Sequence, residues 1–303
     1  MTAALLLLLS AKLSAQTLDS SFQDASDAAR AAAAHPAVVV DAKAIGSWYR
    51  KIASVDTTDF DAVTARGVLP QPAFDPARMH SPAPGEGAWT EGPLDNPGVY
   101  IGVHAQDREI DAGLKWDHRY DEKGRDTGLY AWRVFWRTAS PGSNVWKNPD
   151  PGSAQDLYLT PGQPFTMTLT LRPDGTEVLQ VGGDGAGAPS MSVAITLDGF
   201  FSNAARLPRR FKRVDSIDQF RADPGGPRVG NEGSPAIPTK ATLSDGKWDA
   251  VELTAGARRA PLTGALAVEY RGADEDSAYR AVFPASGPDA KGGEEIVIAP
   301  PHP

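Results

Sequence analysis

The heptapeptide Phe165-Thr166-Met167-Thr168-Leu169-Thr170-Leu171 alternates apolar and threonine side chains without a break. Only an extended strand sends every second residue to one face, so this segment covers an apolar core with one side and meets solvent with the other. Arg172-Pro173-Asp174-Gly175-Thr176 follows as a turn, and Glu177 to Val181 returns as the second arm of a hairpin. Similar runs of Val, Ile, Leu, Thr and aromatic residues, punctuated by Gly, Pro, Asn and Asp, begin at Val99, Glu109, Leu129, Asp156, Met191, Arg210, Thr239, Trp248, Ala265 and Glu295. Many short strands with one clean face predict a mainly β protein, with an antiparallel β-sandwich over residues 99–303. A closed barrel has the same signature.

The chain ahead of this region reads differently. Residues 1–15, MTAALLLLLSAKLSA, pair an apolar run with a small-residue exit and match a secretory signal peptide. The run is too short to span a bilayer, which takes ~20 apolar residues. Position 16 is Gln, not the Cys that lipid attachment needs, so an extracytoplasmic location without membrane insertion is expected. Residues 16–67 read as a short helical N-terminal region. Ser21 and Asp24 form a capping box before an Ala-rich run ending at Pro36, and Ile45, Trp48 and Ile52 share one face of a second helix over 42–52. Seven prolines between Val68 and Gly98 then predict a linker or strap over residues 68–98. With 30 basic against 38 acidic residues the net charge is −8, which argues against a nucleic-acid partner. The absence of cysteine removes disulfides, Cys-zinc sites and thiol nucleophiles.

Chemistry concentrates between Asp107 and Arg137. Alternation along Glu109 to Trp116 puts Glu109, Asp111, Gly113 and Lys115 on one face, with the two carboxylates roughly 7 Å apart along the strand. Glu-x-Asp is the first half of the Glu-x-Asp-x-x-Glu strand of laminarinase-type glycoside hydrolases, but the second glutamate is missing here. Two-carboxylate hydrolysis needs a proton donor as well as a nucleophile, and that donor would have to come from elsewhere, for example Glu177. The next strand carries Tyr130, Trp132, Val134 and Trp136 on one face and Arg133, Phe135 and Arg137 on the other. Rows of Trp and Tyr suit the apolar faces of sugar rings. Equally, Trp132 and Trp136 suit an inter-sheet core, with Arg133 or Arg137 pairing across strands to Glu109 or Asp111. The candidate binding residues are Glu109, Asp111, Lys115, Tyr130, Trp132, Arg133 and Trp136, with no catalytic residue, metal ligand or cofactor assigned. His104 and His118 stand near several aspartates, but Lys123 and Arg125 oppose a cation in the 118–128 loop, which reads as a solvated turn. The glycine-rich run 182–187 follows a hairpin instead of opening a helix, and so does not read as a phosphate loop.

The segments Gly98-Val99-Tyr100-Ile101-Gly102-Val103 and Glu109-Ile110-Asp111-Ala112-Gly113-Leu114-Lys115-Trp116, with Leu159 to Gln163, Met167 and Phe211 to Gln219, carry a resemblance to the YrpD-type family of secreted bacterial proteins. The resemblance covers about residues 98–255. It implies an extracytoplasmic jelly-roll sandwich of the concanavalin A-like lectin and glucanase type, and it brings no catalytic residue. The function expected is non-enzymatic binding of a glycan or cell-wall polymer on an aromatic and carboxylate sheet face. The alternatives are a structural envelope protein with a protein-interaction surface, or a glycoside hydrolase or polysaccharide lyase with an incomplete Glu-x-Asp motif.

Overall fold

The computed structural model describes residues 37–41, 46–81, 92–184, 187–202, 205–222, 228–230, 236–263, 266–272 and 287–300. In chain order the main strands are β1 (Ala37–Asp41), β2 (Ser47–Ser54), β3 (Ala62–Val68), β4 (Gln71–Ala73), β5 (Asp95–Ala105), β6 (Arg108–Tyr120), β7 (Asp126–Ser140) and β8 (Ser143–Lys147). They continue as β9 (Pro164–Thr170), β10 (Thr176–Gly183), β11 (Ser190–Thr196), β12 (Arg210–Ala222), β13 (Thr242–Ala255), β14 (Arg258–Pro261), β15 (Ala267–Gly272) and β16 (Glu294–Ile298).

These strands form two facing sheets. The larger runs β1-β15-β2-β12-β5-β6-β7-β8, and the smaller runs β11-β10-β9-β3-β13-β14, with β4 and β16 also paired to β13. Pairing among the described residues is antiparallel except for β1 beside β15. The alternating heptapeptide becomes β9 at the centre of the smaller sheet. Phe165, Met167 and Leu169 are fully buried, while outside them the Thr168 and Thr64 hydroxyls lie 3.1 Å apart across the β9–β3 pair. Facing them from the larger sheet are Ile101 of β5, Ile110 and Leu114 of β6 and Trp132 of β7, all in one apolar cluster. The mainly β, sandwich-like expectation therefore holds.

The helical reading of the N-terminal region needs correction. Residues 47–54 are a strand, not a helix, and β2 and β3 belong to the larger and the smaller sheet respectively. Trp48, Arg50 and Ile52 are all buried at a spacing of two. The charge of Arg50 hides that period in the sequence, leaving the three- and four-residue spacing of Ile45, Trp48 and Ile52 to imitate a helix. Arg50 turns inward because the inter-sheet layer holds its partner, Glu294 of β16, which Arg213 of β12 also contacts. The proposed signal peptide and the capped helix ending at Pro36 lie outside the described residues.

The proline-rich segment is stitched onto the sandwich where it is described. β4 extends the edge of β13, and the Asp75 carboxylate caps a 3-10 turn at Pro76–Arg78 through the Ala77 amide while accepting from the Lys240 amide. The sequence also reads as separate strands around 239–243 and 248–254, yet β13 is continuous. Asp245, at φ 59°, forms a bulge between Leu243 and Gly246 that looks like a turn in sequence.

Candidate functional site

The outer face of the larger sheet carries one cross-strand row of functional side chains. Lys212 of β12 pairs in register with Gly102 of β5, Gly102 with Asp111 of β6, Asp111 with Arg137 of β7, and Arg137 with Trp146 of β8. Four strand spacings separate β12 from β8, so the row is about 19 Å long. At its centre Lys212 Nζ lies 2.5 Å from Asp111 Oδ1 and 2.6 Å from Glu109 Oε1. Arg137 Nη1 donates to Asp111 Oδ2 at 2.8 Å and to Glu109 Oε2 at 2.7 Å. Two cations and two carboxylates thus form a closed, charge-balanced quartet.

Gly102 makes that quartet possible. A Cβ on Gly102 would sit 2.7 Å from Lys212 Cε and 2.8 Å from Asp111 Oδ1, so only a residue without a side chain lets the lysine cross over β5. Burial pushes the Glu109 carboxyl up, but the Lys212 charge and the hydrogen bonds from Lys212 and Arg137 outweigh it and hold the pKa at about 2. Lys212, buried itself, is nevertheless raised above the usual lysine value because Asp111 and Glu109 overcome its desolvation.

An aromatic row runs beside the quartet. Tyr100 of β5 meets Phe135 of β7 edge-on with centroids 5.5 Å apart, and Phe135 stacks on Trp146 at 5.7 Å with ring planes 21° apart. Lys115 and Arg137 place their cations 5.7 and 5.6 Å from the Trp146 ring centroid. Trp146 remains 44% exposed, although Phe135 beneath it is buried. At the β12 end of the row, a cavity of about 320 Å³ opens between Lys51, Ala53, His104, Glu109, Arg210 and Lys212.

The seven residues expected from sequence do not share one face. Glu109, Asp111, Lys115 and Arg133 lie outside. Trp132 is fully buried between the sheets and donates its indole N–H to the Pro70 carbonyl at 3.1 Å. Trp136 packs partly buried against the same core. Tyr130 is also on the inner side, its hydroxyl 3.0 Å from His118 Nε2, while His118 Nδ1 lies 2.7 Å from Asp126. The tryptophan row proposed as a sugar platform is therefore core. Arg133 is committed to a loop: it donates to Asp156 at 2.7 Å and to the Pro149 carbonyl at 2.8 Å, with its guanidinium 4.8 Å from the Tyr120 ring centroid.

Sequence reasoning missed Lys212, Gly102, Tyr100, Phe135 and Trp146 as site residues. A usable signal existed for Trp146: Pro141-Gly142 is a turn dipeptide, and Gly142 takes φ 76° between β7 and the outward-facing β8. Glu177, considered as a distant acid, faces the inter-sheet interior from β10, on the other sheet. Burial raises its pKa to about 7. It does not join Glu109 and Asp111.

No family model matches the chain, and neither does any curated protein. Solved structures do. The chain is similar to scytalido-glutamic peptidase with a peptide-based transition-state analogue, at 10% identity over 84% of this chain and 98% of that one, with a TM-score of 0.44. It is also similar to the alginate lyase from Klebsiella pneumoniae, at 12% identity over 67% and 61% of the two chains with a TM-score of 0.34. The third likeness is to SCLam, a non-specific endo-β-1,3(4)-glucanase from family GH16, at 13% identity over 55% and 50% with a TM-score of 0.25. These are distant likenesses of strand arrangement, and no residue role passes from them to this chain.

Proposed function

We propose that this chain is an exported, non-enzymatic glycan-binding protein whose sandwich has the jelly-roll, concanavalin A-like form, and that a polysaccharide of the cell wall or surroundings lies along the outer face of the larger sheet. The observation that carries this reading is Trp146. A half-exposed indole backed by Phe135 offers a flat apolar surface of the kind sugar rings stack on, at the end of a row of hydrogen-bonding groups. The buried tryptophans of the sequence reading drop out of the site, and Trp146 takes their place.

The quartet favours binding over hydrolysis. Glycoside hydrolysis needs a carboxylic acid that gives up a proton near neutral pH. Glu109 is held as a carboxylate by two cations, and its oxygens already accept their hydrogen bonds. Such a pair orients the face and offers polar edges to sugar hydroxyls. Retention of the protein on a panel of insoluble and immobilised polysaccharides tests the proposal. Retention on at least one polymer, reversed by the soluble form of that polymer, is expected, and failure to retain on all of them would refute it.

A further inference from the structure

We infer that the glycan is neutral and that Asn144 reads its hydroxyls beside Trp146. This rests on the glycan-binding reading and adds the chemical class of the ligand and a second residue that touches it.

Asn144 and Trp146 stand two residues apart on β8, so both side chains lie on the outer face, roughly 7 Å apart along the strand. Both are exposed. Arg137 Nε donates to Asn144 Oδ1 at 2.8 Å. A guanidinium only donates, so the atom it meets is the carbonyl oxygen, and the two N–H bonds of Nδ2 are turned away from Arg137. Among the described residues no protein acceptor takes them. Arg137 is itself held, since its Nη1 donates to Glu109 at 2.7 Å and to Asp111 at 2.8 Å. The quartet thereby fixes the Asn144 carboxamide as an uncharged donor beside an apolar platform. A pyranose stacked on an indole directs its hydroxyls sideways, in the plane of the ring, toward donors placed in this way.

The charges around this pair supply the second half of the argument, because they are already answered within the protein. Lys212 and Arg137 are balanced by Glu109 and Asp111. Arg210 pairs with Asp56 at 2.9 Å, and Arg133 with Asp156 at 2.7 Å. Lys115, the cation nearest the platform together with Arg137, lies over aromatic rings, 5.9 Å from the Phe135 centroid and 5.7 Å from that of Trp146. A polyuronate or sulfated polymer gains a counter-charge here only by displacing one of these contacts, and it also meets a chain of net charge −8. Glu109 and Asp111 are equally occupied, which disfavours a polymer of amino sugars. A neutral sugar leaves every pair intact while its hydroxyls accept from the Asn144 amide.

The test measures the full chain against neutral polymers, namely laminarin, hydroxyethyl cellulose, xylan and glucomannan, and against charged ones, namely alginate, polygalacturonate and chitosan. At least one neutral polymer is expected to bind about tenfold or more tighter than any charged one, with a dissociation constant that changes less than about twofold as salt rises from about 50 to 500 mM. Asn144→Ala and Asn144→Asp are each expected to weaken that binding about tenfold, because the aspartate keeps the contact to Arg137 but has no N–H to give. Asn144 is exposed, so melting temperatures within a few degrees of wild type confirm that both variants fold. Tighter binding of a charged polymer, or affinity that falls steeply with salt, overturns the neutral assignment and leaves the glycan face standing. A wild-type dissociation constant in either Asn144 variant overturns the donor role. If no polysaccharide binds at all, the functional reading itself fails, and this inference with it.

Discussion

Replacing Lys212 with Met removes the amine that bridges Glu109 and Asp111 and leaves both carboxylates to share Arg137. The folded-state pKa of Glu109 is depressed from an ordinary 4.5 to about 2. Its contribution to stability is therefore complete above pH 4.5 and is lost as pH falls toward 2. At ~1.4 kcal/mol per pKa unit the full contribution is about 3 kcal/mol, shared between the two cations. Losing Lys212 should then cost on the order of 2 kcal/mol at pH 7. Most of that cost should be gone near pH 2, where Glu109 is about half protonated in the folded protein and fully protonated in the unfolded chain. Urea denaturation followed by tryptophan fluorescence at pH 7, 4.5 and 2.5 measures both quantities. A loss that stays constant with pH, or no loss at pH 7, would refute the idea that the quartet holds Glu109 ionised.

Gly102→Ala is expected to cost more than Lys212→Met at pH 7, because the new Cβ would run into the Ile110 carbonyl oxygen as well as the path between Lys212 Cε and Asp111 Oδ1; the same denaturation series compares the two. Glu177 behaves in the opposite sense. Burial raises its folded pKa from 4.5 to about 7, so stability is full below 4.5 and falls as pH rises through 7. Glu177→Gln should make the fall in melting temperature between pH 4.5 and 7 shallower and raise the melting temperature at pH 8, as differential scanning calorimetry would record, while buried Asp215, raised to about 6, keeps part of the slope. Trp132→Ala should cost about 3 to 5 kcal/mol and lower the melting temperature sharply, because the indole fills the core and caps the Pro70 carbonyl.

The strands were legible wherever one face was purely apolar. Phe165 to Leu171, Val99 to His104 and Glu109 to Trp116 needed only their period of two. Ser47 to Ser54 was misread because its inward face carries Arg50, whose charge is matched by Glu294, nearly the whole chain away in sequence. Such pairing leaves no local trace. Within the site, Glu109, Asp111 and the pairing role of Arg137 could be read from alternation alone. Lys212 could not, since its register with Gly102 depends on β12 docking beside β5. The tryptophans show the other limit: alternation separates two faces but does not say which one is covered. Trp132 and Phe135 are both buried, one under the second sheet and the other under Trp146.

The central claim, that the outer sheet face binds a glycan through Trp146, is tested most directly by one pair of dissociation constants. They are measured by calorimetry for wild type and Trp146→Ala on the polysaccharide that best retains the protein. A stacking platform predicts at least about tenfold weaker binding in the variant, with a melting temperature within a few degrees of wild type, since the indole is 44% exposed. Equal dissociation constants for the two proteins would contradict the account.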